Sequence, residues 1–201
     1  MCRPDFFDVS YDINVWMGGN KNSVKNKLAQ EQWAALYTAL SKVADIKLID
    51  PVQGLPDMVF TANAGLHVKG KIFLSKFKHA ERQPEELHFR QWFLDQGYHV
   101  IEQSRVSFEG QGDCLVDATN THWMGHRFRS DPEYANSLWK FGVNVRSVKL
   151  VDDRFYHIDT CFCPLPDGTL IYYPGAFDAE SRLAIEEHFS NLSRHEIIRV
   201  T

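Results

Sequence analysis

The order of elements repeats along the chain. Helical periodicity begins at about residues 23, 84, 131 and 178, spacings of 61, 47 and 47, and roughly three short β-like runs follow each start. What repeats is this order of helix and strands, with little similarity between the units. No Pro-, Ser- or charge-rich linker separates them, so they read as one repeat-built α/β domain.

The helices are marked by their ends as well as their periodicity. Ser23 is expected to cap a helix running to about Ala44, with Val24, Leu28, Trp33, Leu36, Tyr37 and Leu40 on one face. A second begins near Pro84, buries Leu87, Phe89, Trp92 and Phe93, and stops at Gly97. The third has Asp131 as N-cap, Pro132 at its first position, Tyr134, Leu138 and Phe141 as its stripe, and Gly142 as terminator. A fourth runs from about Asp178 to Phe189. Between them IKLID, MVFTANAGLHV, KIFLSKF, YHVIEQ, VSFEG, CLVD, THWMG, VNVRSVKLV, FYHIDTCFCPL, TLIYYP and HEIIRVT read as strands, with Gly70 and the PDG at 166–168 turning hairpins.

With 201 residues, 44% of them hydrophobic, the chain can bury a substantial core. A net charge of -4 with dispersed acids and bases argues against nucleic acid and anionic membranes as partners, leaving a small polar substrate or a protein surface. The N-terminus lacks the pattern of a signal peptide and no apolar run reaches membrane-span length, so the cytosol is the default. Cys2, Cys114, Cys161 and Cys163 are too few and too irregular for a disulfide framework and read as free thiols.

Three segments could carry chemistry. In FEGQGD two glycines let Glu109 and Asp113 converge from the ends of a tight bend. Such a pair is either a cation receptor or two solvated acids on a Gly-rich turn. In RFYHIDTCFCPL, strand alternation puts His157, Asp159, Cys161 and Cys163 on one face, opposite Tyr156, Ile158 and Phe162. The cysteines suggest a thiolate nucleophile, a zinc site completed by Cys114, or buried structural thiols. The usual CxxC pairing of zinc sites is absent, and Cys161 would lie about 13 Å from His157 on an extended strand, beyond direct activation. In GLPDMVFTANAGL, Asn63 stands between two alanines, able to hold a polar headgroup or simply to close a hairpin. Arg127 and Arg129 are either a carboxylate fork or surface arginines.

Taken together, CRPDFFDVSYDIN, GLPDMVFTANAG, FEGQGD, HRFRS and FYHIDTCFCPL resemble the amidinotransferase and dimethylargininase (pentein) superfamily, most closely its bacterial arginine dihydrolase branch. The resemblance extends over essentially the whole chain. It implies a five-bladed α/β propeller of ββαβ units around a polar site, a small guanidino substrate and neither metal nor cofactor. It also implies roles: His157 as acid/base, Glu109 and Asp159 holding the guanidinium, Asp113 supporting them, and Asn14, Asn63 and Arg129 holding substrate, with Arg129 on its carboxylate. An Asn at the position of Asn63 goes with release of ornithine, ammonia and CO2. Two departures stand out. Val15 replaces the usual Pro after the early Asn, and none of the four cysteines matches the family's nucleophile, which lies beyond a strand like HEIIRVT. Four of the five units are therefore expected in residues 1–201, a chain inactive alone, with exposed strand edges and an apolar flank that favour self-association. Deiminase, dimethylargininase, amidinotransferase and a non-catalytic binding propeller are the alternatives.

Overall fold

A computed structural model describes residues 1–102, 105–192 and 196–201. Three times over, an antiparallel hairpin is followed by a helix and a third strand parallel to the hairpin's second. The first such unit holds β1 (Gly65–Val68), β2 (Lys71–Leu74), α2 (Glu85–Asp95) and β3 (His99–Ile101). The next holds β4 (Cys114–Val116), β5 (His122–His126), α3 (Tyr134–Lys140) and β6 (Val145–Lys149). The last holds β7 (Phe162–Pro164), β8 (Leu170–Tyr172), α4 (Ala179–Ser190) and β9 (Ile197–Arg199). Ahead of them α1 (Asn26–Leu40) links a parallel bridge between Cys2 and Ile49, the strand–helix–strand portion of the same pattern.

Local chemistry accounts for the turns. Lys69 and Gly70 both have positive φ, as a two-residue type I′ hairpin requires. The longer β4–β5 loop is tied by Asp117, whose Oδ1 accepts from the Thr119 and Thr121 amides while Oδ2 accepts from Trp123 Nε1 and contacts His188 Nε2. Asp178 caps α4 by accepting from the Ser181 amide.

The core lies between units. One cluster joins Cys2 and Ile49 to Met58, Leu74, Phe77 and Phe89. A second joins Leu66, Phe73 and Phe108 to Met124, Tyr134 and Leu138, with the Phe108 and Tyr134 rings stacked 4.0 Å apart. The third packs Trp123, Val148 and Leu150 against Phe162, Tyr172, Ile185 and Phe189. Each sheet thus buries its apolar face against the next.

Several expectations need correction. The first helix begins at Asn26 without a side-chain cap; the Ser23 hydroxyl instead donates to the Asn20 carbonyl. None of its residues is buried, and Leu28, Leu36 and Leu40 stay exposed. Leu87 is exposed on α2 while Phe89 alone of its predicted stripe is fully enclosed. Asp131 caps a turn, accepting from the Glu133 amide, and α3 starts three residues later at Tyr134. MVFTANA is two short 3-10 turns, Pro56–Val59 and Thr61–Ala64, and FYHIDT is likewise broken by turns at Asp153–Phe155 and Ile158–Thr160. VSFEG contributes a single bridge, Phe108 to Lys76. Gln103 of YHVIEQ and His195 of HEIIRVT lie outside the described residues. Among the described residues no helix is long and apolar enough to cross a membrane.

Candidate active site

The 3-10 turns that replace the expected strands bring the site together. His157 stands just ahead of the turn Ile158–Thr160, and Gly110–Gly112 forms another tight turn between Glu109 and Asp113. Gly110 has φ +62, and a Cβ there would meet the Gly65 amide at 2.7 Å and the Ala62 carbonyl at 2.9 Å. Only glycine lets this turn lie against the Asn63 turn. Both carboxylates of the motif then reach one imidazole. Asp113 Oδ1 lies 3.1 Å from His157 Nδ1, and Glu109 Oε2 lies 3.4 Å from Nε2. Each nitrogen thus lies within ion-pair distance of a carboxylate, although Nδ1 makes no hydrogen bond.

Both acids are buried and tied down. Asp113 accepts from Ser130 Oγ at 2.7 Å and from the Ile158 amide at 3.3 Å, and Ser130 Oγ in turn accepts from the Glu109 amide. Glu109 Oε1 accepts from the Lys78 amide at 3.2 Å, and Oε2 from Arg129 Nη1 at 3.2 Å. Asn63 Nδ2 reaches His157 Nε2 and the Glu109 carbonyl, each at 3.4 Å. Its Oδ1 accepts from Arg82 Nη1 at 3.1 Å. Because Arg82 can only donate, this bond orients the amide.

Above this floor lies a cavity of about 360 Å³, walled by Ile13, Asn14, Trp16, Asp57, Asn63, Arg82, Arg129, Tyr156, His157 and Asp159 among others. Asp159 is exposed, and it lines this cavity as well as two neighbouring hollows. Burial among protein atoms, opposed by His157 and assisted by Asp113, pushes its carboxyl up to about 6. Asn14 lines the cavity too, although its Oδ1 is engaged by the amides of Trp16 and Met17. That turn forms with Val15 in place of proline. Arg129 is buried, stacks 4.7 Å from the Tyr156 ring centre and donates to the Ile13 carbonyl at 2.9 Å. Arg127 is not in the cavity wall.

Glu109 is fully enclosed and is not among the residues lining the cavity. One expectation about this constellation fails. His157, Asp159, Cys161 and Cys163 do not share a strand face, because the backbone turns between them and alternation starts only at β7. The Cys161 sulfur approaches the His157 carbonyl, not its ring, and burial followed by the Asp159 charge pushes that thiol up to about 12. Burial likewise raises Cys2, to about 11, and Cys114. Cys163 is exposed and lines a separate hollow beside Tyr172. No group of three His, Cys, Asp or Glu among the described residues could hold a metal ion.

The model of the eukaryotic N,N-dimethylarginine dimethylhydrolase family matches residues 11–201. The chain belongs to that family. Its relatives include the bifunctional arginine dihydrolase/ornithine cyclodeaminase AgrE of Nostoc, 48% identical over 92% of this chain and 27% of that protein. The chain thus spans about a quarter of that relative's length. The N(G),N(G)-dimethylarginine dimethylaminohydrolase of Mycobacterium tuberculosis is 36% identical over 98% of this chain and 64% of its own. Among solved structures, the N-terminal domain of the cyanobacterial arginine dihydrolase ArgZ, bound to product, superposes with a TM-score of 0.94 at 44% identity. That match covers 98% of this chain and 73% of the other.

Within this member of the family, the residues that sequence reasoning missed are Asp57, Arg82, Glu85 and Tyr156. Glu85 holds Arg82 through both oxygens, at 2.8 and 3.1 Å, and Asp57 lies 3.9 Å from its Nε. Burial opposes the Arg82 charge, yet the Glu85 hydrogen bonds and charge raise its pKa overall. In sequence HAERQPEE looks like a solvated, charged lead-in to a helix, and nothing local marks it as buried.

Proposed function

We propose that these residues form the substrate-binding and acid/base half of an arginine-hydrolysing site, of the kind that converts L-arginine and two waters to ornithine, two ammonias and CO2. The observation that carries this is one imidazole facing two buried carboxylates beneath a cavity that also presents Asp159, Asn63 and Arg129. A guanidinium is a weak electrophile because its charge is delocalised. It needs carboxylates to fix its plane and hold the charge at the carbon under attack. Glu109 and Asp159 have that role. Arg129, which lines the cavity and pairs with Glu109, is the partner of the substrate carboxylate. Asn14 and Asn63 hold substrate, and Asp113 keeps His157 in place.

His157 then delivers a proton to the departing nitrogen and later activates water. The attacking thiolate is none of the four cysteines here, since the three buried thiols have raised pKa values and Cys163 is not among the residues lining the cavity. In support, a cysteine-to-serine variant of the ArgZ domain was captured with its substrate. On this reading the chain alone binds without turnover. The four helix-bearing units belong to a single five-bladed ring.

A second reading, hydrolysis of N-methylated arginine to citrulline and dimethylamine, is favoured by the family model and the mycobacterial relative. Product analysis of the protein containing these residues and its thiolate separates the two. Ornithine and ammonia from arginine, lost in His157→Ala, are expected. Citrulline with dimethylamine from dimethylarginine would establish the second reading, and turnover unaffected by His157→Ala would overturn both.

A further inference from the structure

The exposed Lys78 bonds Glu109 and the backbone just ahead of Arg129, and it is not among the residues lining the cavity. Its amide donates to Glu109 Oε1 at 3.2 Å. Its ammonium donates to the Phe128 carbonyl at 2.7 Å and the Arg127 carbonyl at 3.2 Å, the two peptide groups that lead into Arg129. Arg127 has φ +106, a conformation that L side chains rarely adopt. Such backbone persists where surrounding contacts over-determine it. One contact here is the bond from the Arg127 amide to the Ser130 carbonyl, 3.1 Å, which closes the turn. The bonds from the Lys78 ammonium to the Arg127 and Phe128 carbonyls add to it. Charge-assisted bonds of this kind are stronger than neutral ones, and these two converge on a single side chain.

We infer that Lys78 is a positioning residue that sets the reach of Arg129 and so tunes the site for guanidino compounds bearing an α-carboxylate. This rests on the arginine-site reading above. Replacing the side chain removes the staple on residues 127 and 128 but leaves the Lys78 amide on Glu109, so guanidinium binding and headgroup binding come apart. A merely structural lysine would affect both alike.

The test is an NMR titration of the chain and its Lys78→Met and Lys78→Arg variants with L-arginine and with agmatine, which lacks the carboxylate. In Lys78→Met the Kd for L-arginine is expected to rise about tenfold while that for agmatine changes less than about twofold. Lys78→Arg, which can reach both carbonyls, recovers most of the loss. Equal weakening of both ligands, or no weakening of either, overturns the positioning role while leaving the arginine site intact. Failure of the unsubstituted chain to bind L-arginine would overturn the arginine-site reading itself, and this inference with it.

Discussion

Asp159 meets the cavity with its carboxyl pushed up to about 6 from an ordinary 3.8, by burial first and by Asp113 second, against the pull of His157. Guanidinium binding needs the carboxylate. Affinity for L-arginine should therefore fall as pH drops below about 6, approaching tenfold per unit, and Asp159→Asn should flatten that slope in a calorimetric pH series. Stability responds the other way. A folded pKa above the unfolded one stabilises fully below about pH 4 and loses that contribution as pH rises through 6, which a urea titration against pH would show. Gly112 offers a second residue-scale check. A Cβ there would run into the Asn63 amide and come within 3.6 Å of His157 Nδ1. Gly112→Ala should cost at least tenfold in arginine affinity with the far-UV spectrum unchanged; undiminished binding would show that the Asn63 pose does not matter. At this scale the sequence was informative where glycine forced a bend, since Glu109 and Asp113 do converge. It was silent on Arg82 and Glu85, because a buried ion pair and a solvated one use the same letters.

The elements that place the site are short 3-10 turns, and these were the least legible. MVFTANA and FYHIDT alternate apolar and polar residues over too few positions to separate a period of 2 from one of 3. Hairpins and helix stops were readable because Gly70, Gly97 and Gly142 act through local chemistry. The parallel pairing of each sheet's third strand was not, since its partner lies on the far side of a helix. Ser130 clasps the two ends of the Gly110–Gly112 turn by receiving the Glu109 amide and donating to Asp113. Ser130→Ala leaves the buried Glu109 amide unpaired and takes one bond from Asp113, and should cost about 1–3 kcal/mol in urea unfolding. Phe189, packed against Phe162 of its own unit and Trp123 of the one before, should cost about 3–5 kcal/mol as alanine. A loss below 1 kcal/mol would mean that those units do not share a core.

Across the whole molecule, successive units bury their sheets against one another, while α1 keeps Leu28, Leu36 and Leu40 in solvent. An apolar stripe of that kind favours association. Sedimentation velocity should show the chain self-associating as concentration rises, with Leu36→Glu shifting it towards monomer; a monomer at every concentration would contradict this. The repeat of element order was legible from helix spacing alone, whereas the burial of each sheet between its neighbours emerged only in three dimensions. What unites the units is the cavity over His157, whose proposed role is to recognise a guanidinium. Calorimetric titration of the chain with L-arginine, and separately with L-norleucine, which has the same headgroup and no guanidinium, tests this most directly. One-site binding of arginine and none of norleucine is the predicted result. Equal binding of the two, or no heat from arginine, would contradict it.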